Sequence, residues 1–238
     1  MEIIYFKSLP STNTKLLNLS KKSAKSWTVV WTSKQTEGKA YGGGKWEIEK
    51  SKNLAVSLLI TNDLSYKELV YFNQWMGVTI QRYLKRFSDS VYVKWPNDII
   101  MKNKKICGLL IETYKSDNEL NIITGIGLNV NQEEFKNLPK AGSLFTQTRQ
   151  TYDLEEILTG LLTEIQENYH LISEKKFTQI AEDYNAVLYC RNRIAKFEYD
   201  EKLFKGIILG VNEHGQLIVQ TDSGEVREFN HKEIELIY

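Results

Sequence analysis

The amino-acid sequence predicts an α+β fold, with a mixed, largely antiparallel sheet, helices packed on it and a small C-terminal β-barrel domain. Segments of strand type follow one another between Val91 and Val130 and are separated by tight turns, which favours antiparallel pairing over a doubly wound parallel sheet. Amphipathic helices beginning near Ser65 and Asp153 interrupt the strands and can cover the sheet. After Cys190, short strands separated by turn residues replace the helical pattern.

The first part of the chain alternates between strand and helix signals. EIIYF alternates in polarity and predicts a strand, and STNTKLLNLSKK opens with capping residues and predicts a short helix. SWTVVWTSKQ is β-branched and aromatic, which predicts a second strand. NLAVSLLI is apolar almost throughout, as expected for a strand that is covered on both faces.

The longer helices carry their own start signals. Ser65 and Glu68 form a capping box ahead of an apolar face, and Asp153 precedes a second such face. A third helical segment is expected from Lys176 to Val187. The two apolar faces consist of Leu69, Phe72, Met76, Ile80 and Tyr83 in the first helix and Leu154, Ile157, Leu158, Leu161, Ile165 and Tyr169 in the second.

The remaining strands fall into two groups. The first group is VYVKW, DIIM, KICGLLIETY and LNIITGIGLNV, separated by the turns PND and KNKK and by the polar break KSDNE. The second group is RIAKFEY, FKGIILGV, QLIVQT and EVREF. We therefore expect a larger domain at residues 1–190 and the small β-barrel domain at residues 191–238.

Composition limits the class of molecule. The 238 residues are 42% hydrophobic and 11% aromatic, which is enough for a sizeable core. Because 31 Lys and Arg nearly balance 30 Asp and Glu, a nucleic-acid binder is disfavoured. Two cysteines make no disulfide framework, no apolar run reaches the length of a membrane span, and MEIIYFKSLP is unlike a signal peptide. We expect a soluble, cytoplasmic protein that binds neither nucleic acid nor membrane.

Residue spacing disfavours several kinds of catalytic site. His170, His214 and His231 are scattered and none is near a cysteine pair, so we expect no metal fixed by protein ligands. There is no Gly-x-Ser-x-Gly nucleophile elbow, and Cys107 lies in an apolar strand as a buried, inert thiol. The Gly-Lys pairs of residues 38–46 lack the Ser or Thr and the upstream glycine of a nucleoside-triphosphate loop.

Three stretches remain as candidates for a binding site. QTEGKAYGGGKW, residues 35–46, exposes backbone N–H groups beside two lysines and suits an anion-binding loop or a mobile linker. KWPND, residues 94–98, is a rigid turn, after which Lys105 can either set the register of an edge strand or steady two approaching anions. In TGIGLNV, residues 124–130, glycines on one strand face leave a trough for a ligand or only weaken the strand.

In this order the motifs resemble those of biotin–protein ligases. They comprise STN at residues 11–13, Gln35 with the loop that ends in Lys45-Trp46, KWPND, K-x-x-G-x-L at residues 105–110, and G-x-G-x-N at residues 125–129. KWPND followed closely by K-x-x-G-x-L is the most specific part. The resemblance implies a biotin ligase catalytic domain at residues 1–190, like class II aminoacyl-tRNA synthetases in fold, with the small β-barrel domain after it.

The resemblance also implies a reaction. Biotin would attack the α-phosphate of ATP, carried with Mg²⁺, to give biotinyl-5′-adenylate and pyrophosphate. The adenylate would then acylate a lysine of a biotin carboxyl carrier domain, such as that of acetyl-CoA carboxylase or a related carboxylase. Lys105 matches the family lysine that touches both the biotin carboxylate and the phosphate, and it is the expected catalytic residue.

Further roles are carried over from the family onto matching positions. The ureido ring of biotin is expected at Ser11, Thr12 and Gln35, and its valeryl chain near Gly108 and Gly125. The complete set expected around biotin is Ser11, Thr12, Asn13, Gln35, Gly38, Lys39, Ala40, Tyr41, Lys105, Gly108 and Gly125.

The nucleotide roles follow in the same way. Trp46 would stack on adenine, Asn97 and Asn129 would define the nucleotide pocket, and Asp98 would orient the site or approach the metal. The set expected around ATP or the adenylate is Lys39, Trp46, Asn97, Asp98, Lys105 and Asn129.

The glycine loop departs from the family pattern, in which it is a lid that closes over the adenylate. The common form is Gly-Arg-Gly-Arg-x-Gly-Arg, whereas Tyr41 and Gly44 stand here where arginines usually hold phosphate and acyl oxygens. Lys39 retains one cation. We therefore expect a leakier adenylate, unless Lys45 compensates.

Two other functions are compatible with these residues. A lipoate– or octanoate–protein ligase shares the fold and chemistry, and the triple glycine of AYGGGKW is mildly similar to that branch. A non-catalytic biotin or nucleotide sensor would explain the altered loop. Because STN begins at Ser11, no room is expected for an N-terminal DNA-binding domain, which favours a ligase without repressor function. Homodimerisation, the identity of the carrier and the role of the C-terminal domain are left open.

Overall fold

The computed structural model describes residues 1–116 and 119–238, apart from the side chain of Tyr41. Within these residues the chain forms a seven-stranded sheet, six α-helices and a five-stranded sheet. The strands of the first sheet are β1 (Glu2–Tyr5), β2 (Thr28–Thr32), β3 (Asn53–Asn62), β4 (Val91–Lys94), β5 (Asp98–Met101), β6 (Lys104–Ser116) and β7 (Glu119–Asn129). The helices are α1 (Thr12–Ser20), α2 (Leu69–Leu84), α3 (Leu144–Thr148), α4 (Leu154–Glu167), α5 (His170–Ser173) and α6 (Phe177–Ala186). The second sheet contains β8 (Ile194–Tyr199), β9 (Lys202–Val211), β10 (Leu217–Thr221), β11 (Val226–Phe229) and β12 (Ile234–Ile237).

The first sheet is mixed and largely antiparallel, as predicted. Its order is β1-β2-β3-β7-β6-β5-β4, and the β1–β2 pair is parallel whereas the other neighbouring strands are antiparallel. β3 is central and almost wholly buried, which explains its continuous apolar run. The predicted break KSDNE includes Asp117 and Asn118, which lie outside the described residues.

The main core lies on one face of this sheet, beneath α2, α4 and α6. Phe72 and Trp75 from α2 and Leu161 from α4 are fully or almost fully buried there. The predicted capping box is present, because the Ser65 amide donates to Glu68 Oε2 at 2.7 Å. The chain turns first through a 3₁₀ turn, Tyr66–Glu68, and α2 begins one residue later.

The opposite face of the sheet is covered only in part, and this leaves room for a site. A second, smaller cluster packs Leu16 of α1 against Val30, Leu59 and Ile123. Since side chains alternate along a strand, the face that carries Leu59 and Ile123 also carries Ser57, Gly125 and Gly127. The N-terminus of α1 reaches Gly125 through Asn13, and Trp46 lies over Gly127, so the site forms between these two side chains and the rest of this face.

The second sheet has the order β11-β10-β9-β8-β12, and hydrogen bonds join this part of the chain to the turn after β4 and to α6. The Trp95 indole N–H donates to the carbonyl of Gly215 at 2.9 Å, and Arg191 donates to the carbonyls of Leu209 and Asn185. Buried residues of this sheet belong to the main core cluster. The predicted tail strands are therefore confirmed, while closure into a barrel and the domain boundary stay predictions.

Three short elements, α3, α5 and β12, were not predicted from the sequence. Each spans only four or five residues, which is too short for a periodic pattern to emerge. In the described parts of the chain, no helix is long and apolar enough to cross a membrane.

Candidate active site

The described residues enclose a cleft on the α1 face of the first sheet, where the glycines lie. One row of paired residues crosses four strands of its floor, from Gly127 through Gly108 and Asp98 to Lys94. The N-terminus of α1, the glycine loop and the turn before β12 form its walls. The predicted site residues that line it are Ser11, Thr12, Asn13, Gln35, Lys39, Ala40, Trp46, Asn97, Asp98, Lys105, Gly108 and Gly125.

Three other residues of the predicted set are placed differently. Asn129 borders a neighbouring cavity rather than this cleft. Gly38 supports the loop, because a Cβ there would overlap the Trp46 carbonyl and lie 2.5 Å from the Gln35 amide. The side chain of Tyr41 lies outside the described residues. The fold thus brings most of the predicted set to one cleft, while the role of each residue stays a prediction.

The α1 end of the cleft is a buried polar network. Ser11 caps the helix, its hydroxyl accepting from the Thr14 amide at 3.4 Å. The Thr12 amide donates to Gln35 Oε1 at 2.9 Å, which joins the helix to the start of the glycine loop. The hydroxyl of Ser57, fully buried on β3, lies 2.8 Å from Thr12 Oγ1. Helix N-termini leave amides without intrahelical partners, so this end of the cleft can bind a polar ligand.

Asn13 extends the same network across the sheet. Its Nδ2 donates to Glu112 Oε2 at 2.7 Å, and its Oδ1 lies 2.5 Å from the Ser57 hydroxyl. A Cβ on Gly125 would lie 2.5 Å from Asn13 Oδ1. The missing side chain at Gly125 therefore admits the Asn13 carboxamide, and the position of the valeryl chain near Gly108 and Gly125 stays a prediction.

The glycine loop is a tight hairpin rather than an extended linker. Lys39 and Lys45 pair as a bridge, the Ala40 amide donates to the Gly44 carbonyl at 2.8 Å, and the Trp46 amide donates to the Gly38 carbonyl at 2.9 Å. Gly42 and Gly43 have φ values of 74° and 85° at its tip, a region in which L side chains are strained. These glycines are therefore required by the turn itself.

Trp46 follows the hairpin and lies in the glycine trough of β6 and β7. A Cβ on Gly127 would overlap its indole, and a Cβ on Gly108 would lie 3.0 Å from Cζ3. The indole N–H is buried and has no hydrogen-bond partner among the described residues. The trough thus accepts the Trp46 indole, and the predicted stacking of Trp46 on adenine stays a prediction.

A second cavity lies behind Trp46, which borders both cavities together with Ala40 and Lys105. Apolar side chains of the segment after β7, including Phe135 and Leu138, form much of its wall. Asn129 donates to the Gly142 carbonyl at 2.9 Å, and its Oδ1 is buried with no partner in the described part of the chain. An apolar slot with one unsatisfied acceptor suits a flat, weakly polar group that carries an N–H donor.

Lys105 occupies the centre of the cleft. Its Nζ lies 2.7 Å from Asp98 Oδ1 and 5.5 Å from the centroid of the Trp46 ring. Pairing between β5 and β6 skips Ile106, and this bulge reorients the strand at Lys105. The Lys105 amide donates to the Lys140 carbonyl at 2.8 Å, which pins the bulged backbone. The ammonium therefore stands where both cavities meet.

The KWPND turn is held rigidly beside it. The Pro96 carbonyl accepts from Asn73 Nδ2 at 2.9 Å and from the Tyr184 hydroxyl at 3.1 Å. Asn97 donates to the Leu109 carbonyl at 2.8 Å, so its amide holds β5 to β6 as well as lining the cleft. These bonds position Asp98 against Lys105.

Burial determines the titration of three groups near the cleft. It lowers the pKa of Lys94 below the usual lysine value and lowers the pKa of His231, and both groups line the cleft. Burial also raises the pKa of the Cys107 thiol, in agreement with the predicted inert cysteine. In the described ranges, no three His, Cys, Asp or Glu side chains converge as a metal site.

Four residues of the site were not singled out from the sequence: Ser57, Glu112, Lys94 and His231. Ser57 is the single hydroxyl within the apolar segment NLAVSLLI, a signal that could have been used. Lys94 belongs to the KWPND motif but received no role. Nothing local marks Glu112 or His231, because both reach the site only through strand pairing and contact between the two sheets.

Comparisons with known proteins agree with this geometry. The sequence profile of the biotin/lipoate A/B protein ligase family matches residues 5–129. The Bifunctional ligase/repressor BirA of Bacillus subtilis (strain 168) is 25% identical over 245 residues, covering 98% of this chain and 74% of that protein. The protein of the same name from Escherichia coli (strain K12) is 23% identical over 206 residues, covering 85% of this chain and 64% of that protein.

The fold is also similar to that of solved biotin protein ligases. The biotin protein ligase from Aquifex aeolicus, in complex with biotin and ATP, superposes with a TM-score of 0.81 at 27% sequence identity. The match covers 99% of this chain and 98% of that chain, so it includes the C-terminal sheet.

Proposed function

The chain belongs to the biotin/lipoate A/B protein ligase family, and from this premise we propose that it is an ATP-dependent biotin–protein ligase. It would activate biotin as biotinyl-5′-adenylate and transfer the biotinyl group to a lysine of a biotin carboxyl carrier domain. The observation that carries this proposal is the position of Lys105 between a buried polar pocket and an apolar slot. Two binding spaces that meet at one ammonium suit a reaction in which two anions must approach each other.

The polar pocket at α1 is the proposed biotin site. A ureido ring presents two N–H donors and one carbonyl acceptor, and Ser11, Thr12 and Gln35 offer hydroxyl and carboxamide groups at the start of α1. Ser57 and Asn13 hold these groups in place through bonds that are already formed. The carboxylate of biotin would then extend toward Lys105.

The apolar slot behind Trp46 is the proposed adenine site. Asn129 Oδ1 is the buried acceptor that the exocyclic amine of adenine would satisfy. The base would take one side of the Trp46 indole while the other stays against the glycines. This arrangement places the α-phosphate at the junction of the two cavities, next to Lys105.

The first step is an in-line displacement. An oxygen of the biotin carboxylate forms a bond to the α-phosphorus, and the bond from that phosphorus to the bridging oxygen breaks, with its electron pair leaving on pyrophosphate. Lys105 donates hydrogen bonds to both reacting anions and lowers their repulsion. Asp98 orients the ammonium before they arrive, at 2.7 Å from Nζ. Removing such a cation typically costs about 10²-fold or more in rate.

The second step transfers the biotinyl group. The amine of a carrier lysine attacks the acyl carbon, a C–N bond forms, and the C–O bond to AMP breaks with its electrons on AMP. The attacking amine loses its proton to solvent. The lid hairpin, folded over the cleft, would keep water from the mixed anhydride until the carrier arrives.

Mg²⁺ would accompany ATP, neutralising part of the triphosphate charge. Asp98 is the carboxylate among the described cleft residues, and it is engaged with Lys105. Since no cluster of metal-ligating side chains is present in the described ranges, the ion would be held by phosphate oxygens rather than by a protein cage. We further propose that residues 1–190 carry the catalysis, that residues 191–238 border it as a small barrel, and that the reaction takes place in the cytoplasm.

The proposal is tested by pyrophosphate release with MgATP, with biotin and lipoate offered separately. We expect turnover with biotin only, lost by about 10²-fold or more in Lys105→Ala. Lys115→Ala, an exposed lysine of the same strand, is the matched control and should behave as wild type. A carrier domain added afterwards should gain the mass of one biotinyl group.

Two results would contradict the proposal. Turnover with lipoate alone would assign the chain to the lipoate branch of the family. Tight biotin binding without pyrophosphate release would make it a sensor in which the altered loop no longer supports chemistry.

A further inference from the structure

Lys94 is a cation of the cleft to which the proposed reaction has so far given no task. It ends β4, lines the main cleft and also borders a cavity toward the C-terminal sheet. No carboxylate lies within 4.0 Å of its ammonium in the described part of the chain; instead Nζ lies 5.6 Å from the centroid of the Tyr238 ring. Asp98 is the residue that pairs with Lys94 in strand register, but its Oδ1 lies 2.7 Å from Lys105 Nζ and forms an ion pair there.

The charge of the cleft is therefore unbalanced at Lys94. Among the described lining residues, Lys39, Lys94 and Lys105 are cationic and Asp98 is the carboxylate. His231 does not alter this balance near neutral pH, because burial lowers its pKa. Burial likewise lowers the pKa of Lys94, so a bound anion would stabilise its ammonium more than that of an exposed lysine.

Strand register places Lys94 at one end of a row of residues that crosses the floor of the cleft. The row on the sheet runs from Ala55 through Gly127, Gly108 and Asp98 to Lys94, across strands about 4.8 Å apart. The proposed biotin pocket lies beside the β3 end of this row, over the adjacent pair Ser57 and Gly125. Lys94 lies at the β4 end, with Lys105 between.

In-line displacement requires the leaving group to depart opposite to the nucleophile. A carboxylate that arrives from the β3 end therefore expels pyrophosphate toward β4. We propose that Lys94 binds the β- and γ-phosphates of ATP and the departing pyrophosphate, while Lys105 serves the carboxylate and the α-phosphate. The negative charge on the bridging oxygen rises as its bond to the α-phosphorus breaks, and the Lys94 ammonium stabilises it there.

This inference rests on the proposed function, but its test does not require biotin. The probe is inorganic pyrophosphate with Mg²⁺, titrated by calorimetry into the full chain. Lys94→Met should weaken pyrophosphate binding by about tenfold to 100-fold, since it removes a charge-assisted contact to phosphate. Lys94→Arg should stay within about threefold of wild type, because guanidinium also binds phosphate.

Two controls separate a direct contact from a structural role. Lys196→Met removes an exposed lysine of β8 and should leave pyrophosphate affinity unchanged. Biotin affinity and thermal midpoint should remain those of wild type in both Lys94 variants.

The inference is overturned if Lys94→Met binds pyrophosphate as wild type does. It is also overturned if that variant loses biotin affinity and thermal stability in parallel, because Lys94 would then only support the fold. Failure of the proposed function shows itself differently, as wild-type protein that binds pyrophosphate but releases none from ATP when biotin is present. If Lys94→Met does not fold, Lys94→Gln takes its place and should raise the KM for pyrophosphate in the reverse reaction by about tenfold or more, whereas Lys94→Arg should stay within about threefold.

Discussion

The two ends of the cleft differ in how complete they are without a ligand. At the α1 end, Thr12, Asn13 and Ser57 are buried and bonded to one another or to neighbours. At the lid end, the Trp46 indole N–H and Asn129 Oδ1 are buried without partners among the described residues. A satisfied buried network is rigid, whereas unsatisfied groups favour whatever ligand completes them. The α1 end, which is the proposed biotin site, is therefore preformed, whereas the lid end, the proposed nucleotide site, has polar groups that a ligand could satisfy.

The largest effect is expected from a substitution at the rigid α1 end of the cleft. Gly125→Ala places a methyl group 2.5 Å from Asn13 Oδ1, and Asn13 cannot yield without losing its bonds to Ser57 and Glu112. We expect biotin affinity to fall by about 100-fold, the upper range for disrupting buried hydrogen bonds. Calorimetric titration with biotin measures it. Unchanged affinity would mean that this end can rearrange and is not preformed.

A substitution at Gly127, two residues after Gly125, tests the lid end of the cleft. Gly127→Ala displaces the Trp46 indole from the trough, because a Cβ there overlaps the ring. Since the lid can move, we expect ATP binding to weaken by only about tenfold and biotin binding to stay at the wild-type level. Quenching of Trp46 fluorescence by acrylamide should increase. Equal losses for both ligands would remove the distinction between the two ends.

The pH dependence of ATP binding tests the contribution of Lys94, the residue that ends β4. Burial lowers the pKa of Lys94, and the nearby charges of Lys105 and Lys140 lower it further. The carboxylates of Asp98 and Glu235 raise this pKa in part. ATP affinity attributable to Lys94 is therefore complete below this lowered pKa and is lost as pH rises through it. Lys94→Arg should hold its affinity to higher pH, because guanidinium stays charged. Parallel profiles for the two proteins, measured by titration at several pH values, would contradict this.

The smallest expected effect concerns the contact between the lid and the C-terminal sheet. Lys232 Nζ lies 3.5 Å from the Gly42 carbonyl, and Lys232 has a φ of 74°, which a glycine adopts more readily. Lys232→Gly should therefore keep or raise the thermal midpoint while freeing the lid. We expect tryptic cleavage after Lys39 and Lys45 to accelerate by about two- to fivefold, as fits one exposed charged contact.

Exposed Lys202 provides the control for that measurement, since Lys202→Gly lies on β9 and should not change lid cleavage. Faster cleavage accompanied by a lower thermal midpoint would indicate loss of the turn rather than of the lid contact.

The sequence by itself determined the local structure and the chemistry available to the site. Capping residues such as Ser65 and Asp153 and the spacing of apolar residues act within one or two turns, so helix starts and most strands followed from them. The order of the motifs was also sufficient to indicate the family. The tight turn at Gly42 and Gly43 was not predicted, since the glycine-rich stretch was interpreted as an anion-binding loop or a mobile linker.

Only the tertiary structure decided which of these residues act together. Ser57 and Asn13 are 44 positions apart, and Asn13 and Glu112 are 99 apart, yet each pair is bonded. The row from Gly108 to Lys94 depends on pairing register, which is set by packing of the whole sheet and not by any one strand. Periodicity tells which face a side chain occupies but not its neighbour on the next strand. For that reason Lys94, which pairs with Asp98 across β4 and β5, acquired a proposed role only once the strands were in register.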